Sequence, residues 1–220
     1  MKKIILAVIA VSVASCASTS IKVRPEAPMP KMGEDKFVIM PADIHGLPGD
    51  SLAQQAALFG GFVAAFGETG VPLQPIKPAL EAAGLGNISW ELAEGMYHLV
   101  NGHDVYDFKA DGGFHGGDSK LPLIMEGTAK IIELAAEQLS LDFKPKYVAV
   151  AHIDSTSSSV PKTIGYRVIV GVYNVEAGLI DRVAYYEKTT ADDEKAILAE
   201  MATLGQDAYT KLFGDAVKAE

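Results

Sequence analysis

The sequence predicts an α/β fold: a mixed β-sheet with helices packed on its faces, closed by a C-terminal hairpin and a terminal helix. Three observations predict it. Two runs, Lys36 to Pro41 and Lys146 to Asp154, are almost continuously apolar and bounded by turn-forming residues, as strands buried on both faces are. Ile164, Tyr166, Val168, Val170 and Val172 alternate with period two, and a Gly-containing turn at Glu176 to Gly178 leads into Leu179 to Lys188, the pattern of a hairpin. The segments between and after these strands repeat apolar residues at helical spacing. A chain of 220 residues, 49% of them hydrophobic, suffices for one domain with a proper core.

The chain begins with Lys2 and Lys3, then an apolar run from Ile4 that ends at Val13-Ala14-Ser15-Cys16. A basic start, an apolar core of about 7–15 residues and small residues before a cut make a signal peptide. The run is too short to span a bilayer, which takes about 20 apolar residues. The last four residues resemble the bacterial lipobox, and Cys16 is the chain's only cysteine. The expectation is therefore a signal peptide at 1–15 and a lipidated (palmitate-type) Cys16. Two or more acyl chains hold stably, at about 0.8 kcal/mol per buried methylene. An ordinary secretory signal cut after Ala17 is the plainer alternative. In Gram-negative bacteria an Asp after the cysteine resembles an inner-membrane retention signal. Ala17 stands there instead, so the expected address is the outer membrane's inner leaflet, facing the periplasm.

Residues 16–35 read as the acylated Cys and an extended tether. Pro25, Pro28 and Pro30 in a polar, small-residue setting favour polyproline-like backbone reaching roughly 55 Å; Ile21 and Val23 are the residues that would pack on the body instead. Residues 36–220 form the single periplasmic domain. Lys36 to Pro41 is its first strand, ended by Pro41. Asp43 to Asp50 is a loop, and Ser51 caps a helix to Phe66 with Leu52, Ala56, Phe59, Val63 and Phe66 on its inner face. Gly60 and Gly61 in that helix permit close approach of another backbone. Val71 to Ile76 is at best an edge strand, because of Pro72 and Pro75. Pro78 to Gly84 brackets a short helix. Ser89 caps the next one, with Leu92, Met96 and Leu99 inward and Asn101-Gly102 ending it.

The Gly-rich loop at 101–121 is the least regular stretch. Pro122 then starts a helix to about Leu139, with Ile124, Ile131, Ala135 and Leu139 inward. Lys146 to Asp154 is a buried strand and Ser155 to Ser159 a flexible connection before the hairpin. Thr190 with Asp193 begins the last helix, striped by Ile197, Met201, Leu204, Ala208 and Leu212.

At Lys36–Pro41, Tyr147–Asp154 and Val168–Lys188 the chain resembles the family of periplasmic lipoprotein domains that includes CsgG, LpoB and the N-terminal domain of TolB. The shared features are an early strand ending in Pro, a "YVxxGxI"-like strand and a hairpin before a terminal helix. Ala151 stands where that second strand usually has Gly, and Asn87 to Leu121 reads as an insertion. The amphipathic hairpins of a secretion pore are missing, so pore formation is not carried over. The resemblance implies a non-enzymatic role in the cell envelope.

The net charge is −9, and losing Lys2 and Lys3 with the signal peptide takes it to −11. Such an acidic body argues against nucleic-acid binding, which needs a basic footprint. Candidate chemistry is sparse. His98, His103 and His115 with Asp104 and Asp118 lack paired metal-ligand spacing, and the aspartates of 104–118 lack a calcium-loop pattern. Ser155, Ser157, Ser158 and Ser159 lie near His152 and Asp154, but no G-x-S-x-G elbow is present. Glu91, Glu94 and Glu126 read as solvated helix faces. No catalytic, metal or cofactor residue is expected. Tyr106, Phe108 and Phe114 among glycines are the candidate partner-binding loop. The expected function is a membrane-anchored binding or assembly module, tethered to lipid through Cys16 and engaging an envelope protein. The alternative is a periplasmic enzyme or a small-ligand or metal-binding protein using the His103–Asp118 region.

Overall fold

The computed structural model describes residues 19–23, 27–31, 33–100, 107–108, 114–115 and 120–217. Cys16, the signal segment, Tyr106, His103, Asp104 and Asp118 lie outside them. The element order is β1 (Thr19–Val23), β2 (Phe37–Ile39), β3 (Asp43–His45), α1 (Ser51–Phe66), β4 (Gly70–Pro72), α2 (Lys77–Ala82), α3 (Ile88–Val100), β5 (Asp107–Phe108), β6 (Phe114–His115), α4 (Lys120–Gln138), β7 (Tyr147–Thr156), β8 (Thr163–Asn174), β9 (Leu179–Ala191) and α5 (Glu194–Val217). One mixed sheet runs β1-β9-β8-β7-β2-β4, with β3 also paired to β7; β5 and β6 pair separately. The α/β architecture expected from the sequence is the one observed.

Strand β7 is the spine. Residues Tyr147 to Ile153 are all buried. Its odd-numbered side chains enter a core closed by α1 and α5, and Val148 and Val150 enter a second core closed by α2, α3 and α4. Strands β2, β3 and β4 join in parallel on one side, and β8 and β9 form the antiparallel hairpin on the other. The period-two residues Tyr166, Val168, Val170 and Val172 all face the α1/α5 core. Ile197, Met201, Leu204, Ala208 and Leu212 make the buried stripe of α5, as their spacing predicts.

Five expectations differ from the structure. The N-cap of α1 is Asp50, whose carboxylate accepts from the Leu52 and Ala53 N–H groups. Its buried stripe is Gln54, Leu58, Phe62 and Phe66, while Leu52 is 74% exposed. Apolar residues recur all round α1, and the buried stripe itself includes Gln54, so its periodicity does not decide the face; the crossing with α5 does. Within the expected tether, Thr19–Val23 is a strand, because β1 pairs with β9 and covers that sheet edge, leaving Ile21 and Val23 half out in solvent. Finally, Asp43–His45 is a strand rather than a loop, and β7 continues through Thr156 into the expected connection.

The α1/α5 crossing is set by glycines. A Cβ on Gly61 would lie 2.9 Å from the Ala202 carbonyl oxygen. One on Gly205 would meet Phe62 N and lie 2.7 Å from the Leu58 oxygen. Gly60 has open space around it. Gly205→Ala is therefore expected to cost about 1–3 kcal/mol through overpacking, whereas Gly60→Ala is expected to gain about 0.5–1 kcal/mol; urea denaturation distinguishes them.

A polar bridge ties α5 to the sheet. The Tyr166 hydroxyl donates to Glu200 at 2.8 Å, and Lys188 Nζ lies 2.7 Å from the same carboxylate. Burial pushes Glu200 up, but the Lys188 and Tyr166 hydrogen bonds outweigh it and hold the carboxyl below its ordinary 4.5. A carboxyl depressed on folding stabilises above the unfolded value and loses that contribution as pH falls through the folded one. Wild type should thus lose stability below about pH 4.5 more steeply than Glu200→Gln, read from urea midpoints across pH.

Candidate functional site

Strands β2 and β3 both pair with β7, but not in one continuous register. Phe37 to Ile39 lie opposite Tyr147 to Ala149, and Asp43 to His45 lie opposite His152 to Asp154. Three residues separate the two short strands where β7 has two. The extra residue falls at Met40 to Ala42, around Pro41, which has no N–H to give a ladder. A one-residue offset moves every following side chain to the opposite face. Phe37 and Ile39 face the α1/α5 core, and after the offset it is Ile44 that does so. Asp43 and His45 are thereby turned to the α3 side. There they meet His152 and Asp154, which alternate with the buried Ile153.

Four polar side chains thus stand together on one face of the β3/β7 pair. One Asp43 carboxylate oxygen accepts from His45 Nε2 at 2.8 Å and from His152 Nδ1 at 3.1 Å. His152 Nε2 lies 2.9 Å from Asp154 Oδ1, but off the line of a hydrogen bond. Arg167, the cross-strand neighbour of Asp154 on β8, donates from Nε to Asp154 Oδ2 at 2.9 Å and stacks over the Tyr97 ring at 4.7 Å. The His152 side chain is 1% exposed, Asp43 26% and His45 58%, so the cluster runs from core to surface. Burial pushes Asp43 up, but the hydrogen bonds and charge of the two histidines hold its carboxyl below the usual range.

Helix α3 roofs the cluster. The Ser89 hydroxyl donates to the Pro41 carbonyl at 3.3 Å, seating the helix start on the offset. Trp90, the chain's only tryptophan, then lies with its ring 5.0 Å from His152 and 5.8 Å from His45. Beside it opens a cleft of about 440 Å³. Asp43, His45, Asp154 and Trp90 line one end; Lys77, Gln55, Asn87 and Ser89 supply further polar groups over an apolar floor of Met40, Leu80 and Leu85. It lies at the carboxyl ends of parallel strands, where ligands bind in α/β sheets, and its volume suits a small molecule. The carboxylate–imidazole end can hold a cation or a hydrogen-bond donor, and Lys77 an anionic group.

The sequence pattern points to other residues. Phe108 and Phe114 are opposite one another in the β5/β6 pair, and His115 is opposite Asp107; Tyr106 is outside the described residues, as are the side chains of His98, Phe108, Phe114 and His115. The serines considered with His152 do not join it. Ser155 shares the face of Ile153, opposite to His152, and the Ser158 hydroxyl is engaged with Thr163 Oγ1 at 2.7 Å. Glu126 is exposed on α4. The missed signal is a pair of short patterns, Asp-x-His at 43–45 and His-x-Asp at 152–154, each placing two polar groups on one strand face.

No protein-family model matches the sequence, and no curated protein matches it significantly. Among solved structures it is similar to the PelC dodecamer from Paraburkholderia phytofirmans, at 10% identity and a TM-score of 0.43, covering 90% of this chain and 94% of that one. A variant of that PelC dodecamer gives a TM-score of 0.44 at 10% identity, covering 90% and 95%. The hypothetical protein CT253 from Chlamydia trachomatis is similar at 12% identity and a TM-score of 0.35, covering 84% and 95%. Likeness this distant transfers neither function nor assembly.

The Asp154–Arg167 pair holds the buried end of the cluster. Arg167→Gln leaves the largely buried carboxylate short of a donor and is expected to cost about 1–3 kcal/mol. Combined with Asp154→Asn it should cost less than the sum of the two, giving a coupling of about 0.5–3 kcal/mol in a double-mutant cycle by denaturation.

Proposed function

We propose that the chain is an exported lipoprotein, acylated at Cys16, whose body is a non-enzymatic binding module of the cell envelope and takes a small polar ligand into the cleft at the carboxyl ends of β2, β3 and β7. The observation that carries this reading is the cleft itself, with its polar cluster at one end, an indole wall and an apolar floor. The lipobox-like Val13 to Cys16, Ala17 after it and the acidic body support the location on the periplasmic side of an outer membrane. The resemblance of Lys36–Pro41, Tyr147–Asp154 and Val168–Lys188 to periplasmic lipoprotein domains points the same way.

The tether changes the geometry of anchoring. Thr19 enters the sheet three residues after Cys16, which at about 3.4 Å per residue keeps the β1 edge within roughly 10 Å of the acylated residue. The body then lies against the lipid surface instead of being held away from it.

Two measurements test the two halves of this reading. Labelled palmitate should enter the wild-type chain and not Cys16→Ala, and that variant should leave the membrane fraction; incorporation independent of Cys16 would overturn the anchor. Native mass spectrometry of the chain purified from membranes should find a small molecule that is lost in Trp90→Ala, with Trp90 less accessible to acrylamide before the molecule is stripped than after. An identical mass and identical quenching before and after stripping would overturn the cleft as a ligand site.

A further inference from the structure

We infer that Asp43, His45 and His152 form a three-residue site for a divalent transition cation of the zinc class, with Asp154 orienting His152 and a fourth position open to the cleft. This deepens the binding-module reading by naming a ligand class for the same cleft, and it rests on that reading only for the open position.

The spacing comes first. One donor atom from each of the three residues lies within 4.8 Å of the others. The shared Asp43 oxygen is 2.8 and 3.1 Å from the two ring nitrogens. Ligands about 2.1 Å from a tetrahedral ion stand about 3.4 Å from one another, so the two ring nitrogens would move apart from the Asp43 oxygen by about 0.3 to 0.6 Å to admit the ion, and the two nitrogens themselves already lie within 4.8 Å of each other.

The proton inventory comes second. A neutral imidazole has one N–H and one lone pair. His152 lies between two carboxylates, both acceptors. If its Nδ1–H is given to Asp43, its bare Nε2 lies 2.9 Å from the Asp154 carboxylate, an acceptor beside an acceptor, and that buried nitrogen has no hydrogen bond among the described residues. A cation on Nδ1 moves the N–H to Nε2, and a small turn of the imidazole or of the Asp154 carboxylate, which Arg167 holds 2.9 Å from that nitrogen, would bring donor and acceptor into line. That is the carboxylate–histidine–metal arrangement by which outer groups set ring tautomer and orientation.

The donor set comes third. Two imidazoles and one carboxylate suit zinc and its neighbours; magnesium and calcium take oxygen donors. His45 and Asp43 both line the cleft beside Trp90, so a ligand entering there would reach the fourth position, as in sites that keep one open. Lys77 is the cationic side chain in the lining, and it comes from α2 rather than from the β3/β7 strands that hold the donors.

The test uses the full chain, untagged, purified in detergent and treated with chelator, then titrated with zinc chloride and with magnesium chloride by calorimetry, with metal content read by mass spectrometry. Wild type should take one zinc per chain and no magnesium. His45→Ala, at an exposed position, and Asp43→Asn should weaken zinc at least a hundredfold, and Asp154→Asn about tenfold to a hundredfold. A His103→Ala/His115→Ala chain should bind as wild type does. Circular dichroism confirms that each variant is folded. Zinc retained by His45→Ala and lost by the loop variant would overturn the assignment, as would no stoichiometric zinc in wild type. In either case the cluster is a hydrogen-bonded one only, and the acrylamide and native-mass measurements on the cleft stand apart from it.

Discussion

The structure depends on the one-residue offset between β2 and β3 as both pair with β7. A strand pair has a period of two, so a single extra residue at Pro41 exchanges the two faces for everything after it. Before the offset the strand sends Phe37 and Ile39 under α1 and α5; after it, Ile44 takes over that role. Asp43 and His45 are left on the side of α3. With an unbroken register they would instead have pointed into an aromatic-rich core containing Phe37, Phe66, Tyr147 and Phe213, where a charged carboxylate finds no partner. The same offset that allows a buried core to continue along the strand therefore assembles the polar cluster.

The rest of the site is supported from two directions. From β8, Arg167 reaches across to Asp154 and rests on Tyr97, so the buried end of the cluster has a cation and a ring behind it. From above, α3 is seated by Ser89 on the Pro41 carbonyl and sets the Trp90 ring at a steep angle against the two imidazoles. Each support comes from a different element of the sheet or its helical cover, which restricts the side chains to a narrow set of positions.

Much of the fold was legible in the sequence because burial on both faces leaves an unmistakable mark. Tyr147 to Ile153 is apolar or nearly so at every position, and Ile164 to Val172 alternates cleanly. The stripe of α5 was legible because polar residues such as Lys195, Thr203 and Gln206 flank it. The face of α1 was not: with Leu52, Ala56, Leu58, Phe59, Phe62 and Val63 all apolar, several stripes fit equally, and the glycine contact with α5 chooses among them. The site was hidden for a different reason. Asp43 and His45 follow a proline and precede Gly46, Pro48 and Gly49, so they read as loop. What makes them neighbours of His152 is a pairing between segments 109 residues apart, which packing decides and local pattern does not. His152 itself stood out only as a polar residue inside an apolar strand.

Strand β1 has a consequence for the order in which the molecule takes shape. Its partner, β9, lies roughly 160 residues further along the chain, and β2 likewise waits for β7. Pairings at such separation form late, since the loop they close must be ordered before they return any stabilisation. Strand β1 is thus among the last elements to be seated. That sheet edge therefore stays open until the β8/β9 hairpin exists to receive the strand that covers it.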